Sequence, residues 1–179
     1  VNDLVGIDFN PDIVEILARH RIQGYAGTFD EYPATPGSFD LVAMNNYLEH
    51  TLAPVAELKR TLEVLKPGGY LVGEVPGFDS VERRLFGRYW GGNHVPRHTY
   101  QFDHDFLRRQ LTDSGFVDVE ISHQLNTSHL ALSVQNYLQR KRQDLRNNPA
   151  IRHGRGPYYV PLLLLFIPIN LLLAAIGKS

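Results

Sequence analysis

The 179-residue sequence contains no cysteine. That excludes disulfides, cysteine nucleophiles and thiolate metal sites, and it fits a cytoplasmic protein. A charge imbalance is also missing: 18 lysines and arginines stand against 19 aspartates and glutamates, so no global field points to nucleic acid. No internal repeat, low-complexity tract or secretory signal is present, and the chain starts at Val1 without an initiator methionine. Charge is absent altogether from Gly156 to Gly177. The length suits one domain with a real hydrophobic core.

What is present is organised around Phe39 to Pro76, FDLVAMNNYLEHTLAPVAELKRTLEVLKPGGYLVGEVP. Phe39–Met44 is a nearly continuous apolar run, as expected of a strand buried on both faces of a parallel sheet. Pro54 suits a first helical turn, and Val55, Leu58, Leu62 and Leu65 then recur at helical spacing. Lys66-Pro67-Gly68-Gly69 is expected to stop that helix, and Tyr70–Val75 to form the next strand. Strand, helix and strand at this spacing make a βαβ unit with a right-handed crossover. Upstream, Leu4–Asp8 reads as a second buried strand ending in an acid, followed by an Asn10-capped helix with Ile13, Val14, Ile16 and Leu17 on one face. Ile22 to Thr28 reads as a short third strand.

Phe39-Asp40-x-Val42, Leu48-Glu49-His50 and Leu65-Lys66-Pro67-Gly68-Gly69, in this order, resemble the middle of a class I S-adenosylmethionine-dependent methyltransferase. The nearest subgroup is the broad one that includes ubiquinone-biosynthesis-type enzymes. The resemblance spans roughly Leu4 to Phe116. It implies a Rossmann-like α/β sheet with helices on both faces and S-adenosylmethionine as cofactor. Asp8 would then accept hydrogen bonds from the ribose hydroxyls, with Phe9 beside it, Thr28 and Phe29 near the adenine, and Met44 and Asn45 flanking the cofactor. Tyr47 and His50 would face the substrate. The family's first strand and glycine-rich turn have no counterpart, since no G-x-G-x-G occurs. The expectation is therefore a fragment lacking the first strand and the seventh.

Between Pro76 and Tyr100 lies an insertion dense in aromatics, arginine and histidine, placed to act as a lid or substrate wall. Its Trp90-to-Pro96-Arg97-His98 stretch resembles one seen in the same subgroup. His94 and His98, with ordinary pKa values near about 6.5, are candidate general bases. Trp90 and Arg97 are candidate substrate contacts, the latter through its planar fork. As a plain loop feature, a lone histidine is more often a hydrogen-bonded surface residue. Glu49 and His50 alone are an acid–base pair or a pair that orders the loop. No metal site is expected, because one pair falls short of the three or four ligands needed.

Phe102-Asp103 should cap a helix closed by Gly115, and Phe116–Ile121 alternates as a strand. Ser128 to Arg146 reads as an amphipathic helix with Leu130, Val134, Tyr137, Leu138 and Leu145 on its apolar side. After it, Val160–Ile176 is apolar almost throughout and approaches the roughly 20 residues that cross a bilayer, while Pro161, Pro168 and Asn170 favour a kinked or surface-lying segment. Arg140, Lys141, Arg142, Arg146, Arg152 and Arg155 precede it and suit an anionic lipid face. Packing on its own domain or on a second copy in a homodimer is the other reading.

These readings divide the chain into a partial methyltransferase domain over 1–127, with the insertion at 76–100, and a helical, membrane-associated segment over 128–179. The function expected of the parent enzyme is methyl transfer to a small-molecule or lipid-linked acceptor, in the cytoplasm or at the inner membrane face, with the fragment itself expected to be inactive. A non-catalytic, membrane-associated interaction module with this fold is the alternative. A nucleotide-dependent dehydrogenase also ends its second strand in an acid, but the LEH and LKPGG segments speak against it.

Overall fold

The computed structural model of the chain describes residues 4–124, 126–140 and 159–175, the last stretch with side chains as far as 168. It contains two parallel βαβ units, as the apolar runs require. In the first, β1 (Val5–Asp8) and β2 (Gln23–Ala26) flank α1 (Asp12–Arg19) and pair from Val5↔Gln23 to Asp8↔Ala26. Asn10 Oδ1 accepts from the Asp12 N–H at 3.1 Å, and Arg21 at φ 59° turns the chain into β2. Gly24 lies against the Val14 backbone, where a Cβ would approach to 2.8 Å, so α1 seats directly on the strand.

In the second unit, β3 (Phe39–Asn45) and β4 (Leu65–Glu74) flank α2 (Pro54–Val64). Pro54 occupies the first helical turn, where its missing N–H has no partner to lose. The Lys66–Gly69 segment departs from expectation. The helix ends at Val64, pairing begins at once with Phe39↔Leu65, and the register then jumps to Leu41↔Tyr70. Lys66–Gly69 is therefore a bulge inside the strand, with Gly68 at φ 79°, rather than a turn before it. Lys66 Nζ holds both oxygens of Asp40 at 2.8 Å across this bulge.

The insertion carries structure of its own. Helix α3 (Val81–Phe86) starts at Ser80, whose Oγ accepts from the Arg83 N–H at 3.2 Å, and single 3-10 turns follow at Gly87–Tyr89 and Gly91–Asn93. Helix α4 (His104–Asp113) is capped by Asp103, which accepts from the Phe106 N–H at 2.7 Å. The strand expected over Phe116–Ile121 is not formed. Asp118 sits at φ 52°, which breaks an extended backbone, and Arg108 takes the Val119 carbonyl at 2.6 Å.

Helix α5 (Thr127–Leu138) begins at Asn126, whose side chain accepts from the Ser128 and His129 N–H groups. It ends well before Arg146; residues 141–146 lie outside the described ones. Its buried side differs from the expected stripe: Ala131, Ser133, Gln135 and Gln139 are buried, while Tyr137 and Leu138 are exposed. The reason is that α5 is covered from two directions, by the insertion and by α6 (Tyr159–Ala175). Among the described residues no helix is long and apolar enough to cross a membrane.

The core gathers Phe29, Met44, Leu48, Leu58, Val64 and Phe102, with Ile7, Phe39, Val42, Leu71, Phe106 and Leu111 packed on it. One face of the β3–β4 pair supplies it, through Val42 and Met44. On the other face Leu41, Tyr70 and Val72 are exposed. Leu58 is 1 % exposed and Leu62, one helical turn later, 39 %. Leu58→Ala is expected to lower the urea-unfolding free energy by about 3 kcal/mol and Leu62→Ala by less than about 1 kcal/mol. Equal losses would mean that α2 presents a different face.

Candidate active site

The site forms where β3 ends. Asn46, at φ 47°, turns the chain and is pinned to the end of β4 by its N–H to the Glu74 carbonyl at 3.0 Å and by its side-chain amide to Glu74 Oε1 at 2.7 Å. A 3-10 turn, Leu48–His50, follows directly. Leu48 enters the core, so the next residue, Glu49, is carried inward with it. Its carboxylate is 1 % exposed, and among the described residues neither oxygen has a hydrogen-bond partner. His50 emerges half-buried beside it.

The far end of the insertion is clamped onto this turn through backbone groups. The Glu49 carbonyl accepts from the Thr99 N–H at 2.8 Å and from the Thr99 hydroxyl, which also reaches the Thr51 carbonyl at 2.6 Å. This clamp sets His98 next to His50, with ring centroids 4.7 Å apart, and His94 at 5.1 Å from His98. His50 Nδ1 lies 3.0 Å from the Arg97 carbonyl and His98 Nδ1 2.8 Å from the Gly92 carbonyl. A carbonyl only accepts, so in the neutral rings both Nδ1 atoms carry the proton and both Nε2 atoms keep a lone pair. These Nε2 atoms stand 4.0 and 3.9 Å from Glu49 Oε1.

Burial sets the electrostatics. It raises the Glu49 carboxyl above the usual carboxylate range, against the opposing pull of its own backbone and of His50. It pushes His98 down to about 4, outweighing the Gly92 hydrogen bond that favours the proton.

The six expected substrate and catalytic residues are thus distributed unevenly. His50, His94 and His98 come together. Arg97 is exposed, and its carbonyl orients His50. Trp90 is buried beneath the insertion, edge-on to Phe78 and His129. Tyr47 faces inward: its hydroxyl accepts from the Phe29 N–H at 3.3 Å, and burial together with the Glu57 carboxylate pushes it up to about 12. Sequence reasoning weighed Glu49 only beside His50 and passed over Thr99. The available signal was an acid set directly after Leu48 in an apolar turn, where burial carries it inward.

Of the expected cofactor residues, Asp8 ends β1 and Asn45 ends β3, the carboxyl ends at which open α/β sheets bind ligands. One Asp8 oxygen accepts from the Asn10 N–H at 2.8 Å; among the described residues the other makes no hydrogen bond. Phe9 is 74 % exposed beside it. Phe29 and Met44 are buried in the core, and the Thr28 N–H donates to Glu31.

The two strand ends belong to two separate two-stranded parallel sheets, β1–β2 and β3–β4, where the expected fold has one continuous sheet. Residues 1–121 match the family model described as Methyltransferase domain, and the chain belongs to that family. It is 31% identical over 141 residues to erythromycin 3''-O-methyltransferase of Saccharopolyspora erythraea, an alignment covering 66% of this chain and 44% of that enzyme. The chain therefore spans less than half the length of that relative. Among solved structures, a methyltransferase candidate of Bacillus halodurans superposes with a TM-score of 0.60 at 18% identity, covering 86% of this chain and 72% of that one. A Haemonchus contortus phosphoethanolamine N-methyltransferase, solved with S-adenosylhomocysteine, gives 0.55 at 18%, covering 96% of this chain and 40% of that one. At such identities the structures establish the fold.

The group implied by the family is S-adenosylmethionine. The open carboxylate oxygen of Asp8 and the exposed ring of Phe9 fit its ribose and its flat base; no glycine-rich turn is available in the sequence for its methionine end.

Glu57 provides a pH test of the packing beneath the site. Burial, with Asp30 nearby, holds its folded-state pKa above the ordinary 4.5. Its contribution to stability is therefore present below the ordinary value and lost as pH rises through the folded one. Glu57→Gln, which can still accept from Tyr47, is expected to stabilise the protein by about 1 kcal/mol at neutral pH and by nothing in acid. A gain that does not change with pH would contradict this.

Proposed function

We propose that the protein transfers the methyl group of S-adenosylmethionine to an oxygen of a small-molecule acceptor. The observation that carries this reading is the set of imidazoles assembled after β3, at the same kind of strand end that Asp8 occupies on β1. The oxygen acceptor is supported by the relative named as an O-methyltransferase, of which this chain covers 44%.

When bound, the cofactor supplies an electrophilic methyl on a positively charged sulfur. Asp8 holds the ribose hydroxyls. Asn45 and the Asn46 turn would border the cofactor side and the exposed Arg97 the acceptor side, while the inward-facing Tyr47 and the buried Trp90 support the walls from behind. The Nε2 of His98 would take the proton of the acceptor hydroxyl, with His94 as the neighbouring relay. Buried Glu49, 3.9 Å from that nitrogen, stabilises the imidazolium as it forms. The rest of the acceleration is alignment and exclusion of water under the 76–100 lid.

In the partition of the chain, 1–127 carries this chemistry and the helices beyond it accompany it. A lipid-linked acceptor at the inner membrane face is a second reading, favoured by one observation: Val160, Leu164 and Leu165 are exposed on α6. Sedimentation with anionic liposomes separates the two. Binding that disappears when these three residues are changed to serine supports the lipid reading; no binding leaves a water-soluble acceptor.

Calorimetry with S-adenosylhomocysteine tests the activity itself. The chain preceded by the family's first strand and glycine-rich turn is expected to bind it and the chain alone is not; in the extended protein Asp8→Ala should abolish binding, and His98→Ala should leave it intact while lowering turnover of hydroxyl acceptors by about 100-fold or more. Failure of the extended protein to bind S-adenosylhomocysteine would instead make it a non-catalytic module with this fold.

A further inference from the structure

We infer that Glu49, His50 and His98 form a binding site for one divalent cation of the Zn2+ class. One ligand atom from each residue lies within 4.8 Å of the other two. The sequence offered only the Glu49–His50 pair; the clamp of Thr99 on the Glu49 carbonyl delivers the third ligand from 49 residues away, and hence a site of the minimum size.

Three features point to a cation rather than to a plain hydrogen-bonded cluster. The Nε2–Oε1 separations of 3.9 and 4.0 Å are too long for hydrogen bonds. Around a tetrahedral Zn2+, ligand atoms stand about 3.3 to 3.5 Å apart, so each imidazole nitrogen needs to close on Glu49 Oε1 by only about half an ångström, with all three ligand atoms already within 4.8 Å of one another. Both Nδ1 atoms are committed to backbone carbonyls, Arg97 for His50 and Gly92 for His98. This is the outer-shell arrangement that fixes a metal-binding imidazole with Nε2 pointing at the ion. Finally, Glu49 is a carboxylate 1 % exposed with neither oxygen hydrogen-bonded among the described residues. An isolated buried carboxylate is strongly unfavourable, and a cation in contact with Oε1 removes that penalty.

The donor set selects the ion. Two imidazole nitrogens and one carboxylate oxygen suit Zn2+ and its neighbours, whereas Mg2+ and Ca2+ favour all-oxygen shells. The His98 side chain is 6 % exposed and that of His50 31 %, so the ion enters, and keeps its open position, on the His50 side. Ion binding does not depend on the methyl-transfer reading, but an ion on His98 Nε2 occupies the lone pair that reading uses as the base, so proton acceptance and ion binding are alternative states of the cluster.

The test is calorimetric titration of the chelator-treated full chain with Zn2+ alone, repeated in a large excess of Mg2+. One Zn2+ per chain is expected in both, with a raised melting temperature. Glu49→Gln, nearly isosteric and free of buried charge, should weaken binding at least tenfold while keeping the apoprotein's circular dichroism; His50→Gln, at the most exposed ligand, should do the same. His123→Gln changes a histidine–carboxylate pair outside the site, in which Nε2 lies 3.7 Å from Asp79, and should leave binding unaltered. Wild-type affinity no greater than that of Glu49→Gln, loss of binding in His123→Gln, or displacement by Mg2+ would each overturn the site.

Discussion

The site depends on one backbone acceptor, the carbonyl of Glu49. It takes the N–H and the hydroxyl of Thr99, fifty residues along the chain, and so fastens the end of the insertion to the turn after β3. Hydrogen bonds between backbone groups in a partly dry setting hold position better than long side chains can, because little rotamer freedom remains to be lost. Everything chemically active here follows from that fastening. Without it His98 would be a loop histidine, and Glu49 would face a water-filled gap.

The clamp also creates a tension that a purely structural cluster would avoid. Leu48 must enter the core beside Phe29, Met44 and Leu58, and a single 3-10 turn then leaves Glu49 nowhere to go but inward. Burial favours the protonated form of Glu49 and the neutral form of His98, so the pair resists charge separation in the resting protein. A proton arriving at His98, or a cation arriving between the rings, relieves the carboxylate. The methyl-transfer and cation-binding proposals draw on this same unsatisfied group.

Much of the scaffold was legible in the sequence for local reasons. Apolar runs ending in Asp8 and Asn45, Pro54 in a first turn, and Asn10 and Asp103 as caps each act through nearest neighbours, and each is found where its chemistry places it. What the sequence concealed was decided by distant partners. The Lys66–Gly69 segment looks like a stop signal but becomes a bulge because Leu65 already pairs with Phe39. Phe116–Ile121 has a strand's alternation yet is interrupted by Asp118 at positive φ. The stripe expected on α5 misjudged its buried side, since coverage from two directions buries Ser133 and Gln135 and exposes Tyr137. At the site, the three histidines were visible as residues, but their meeting with Glu49 was not, because contacts across fifty residues leave no periodic trace.

The most direct measurement is the tautomeric state of the histidines, read from long-range proton–nitrogen NMR correlations at neutral pH. If the backbone clamp and the carbonyls of Arg97 and Gly92 orient the rings as described, His50 and His98 will both show a protonated Nδ1 and an unprotonated Nε2. An Nε2-protonated tautomer for His98, or fast averaging between the two forms in both rings, would contradict the account at its centre.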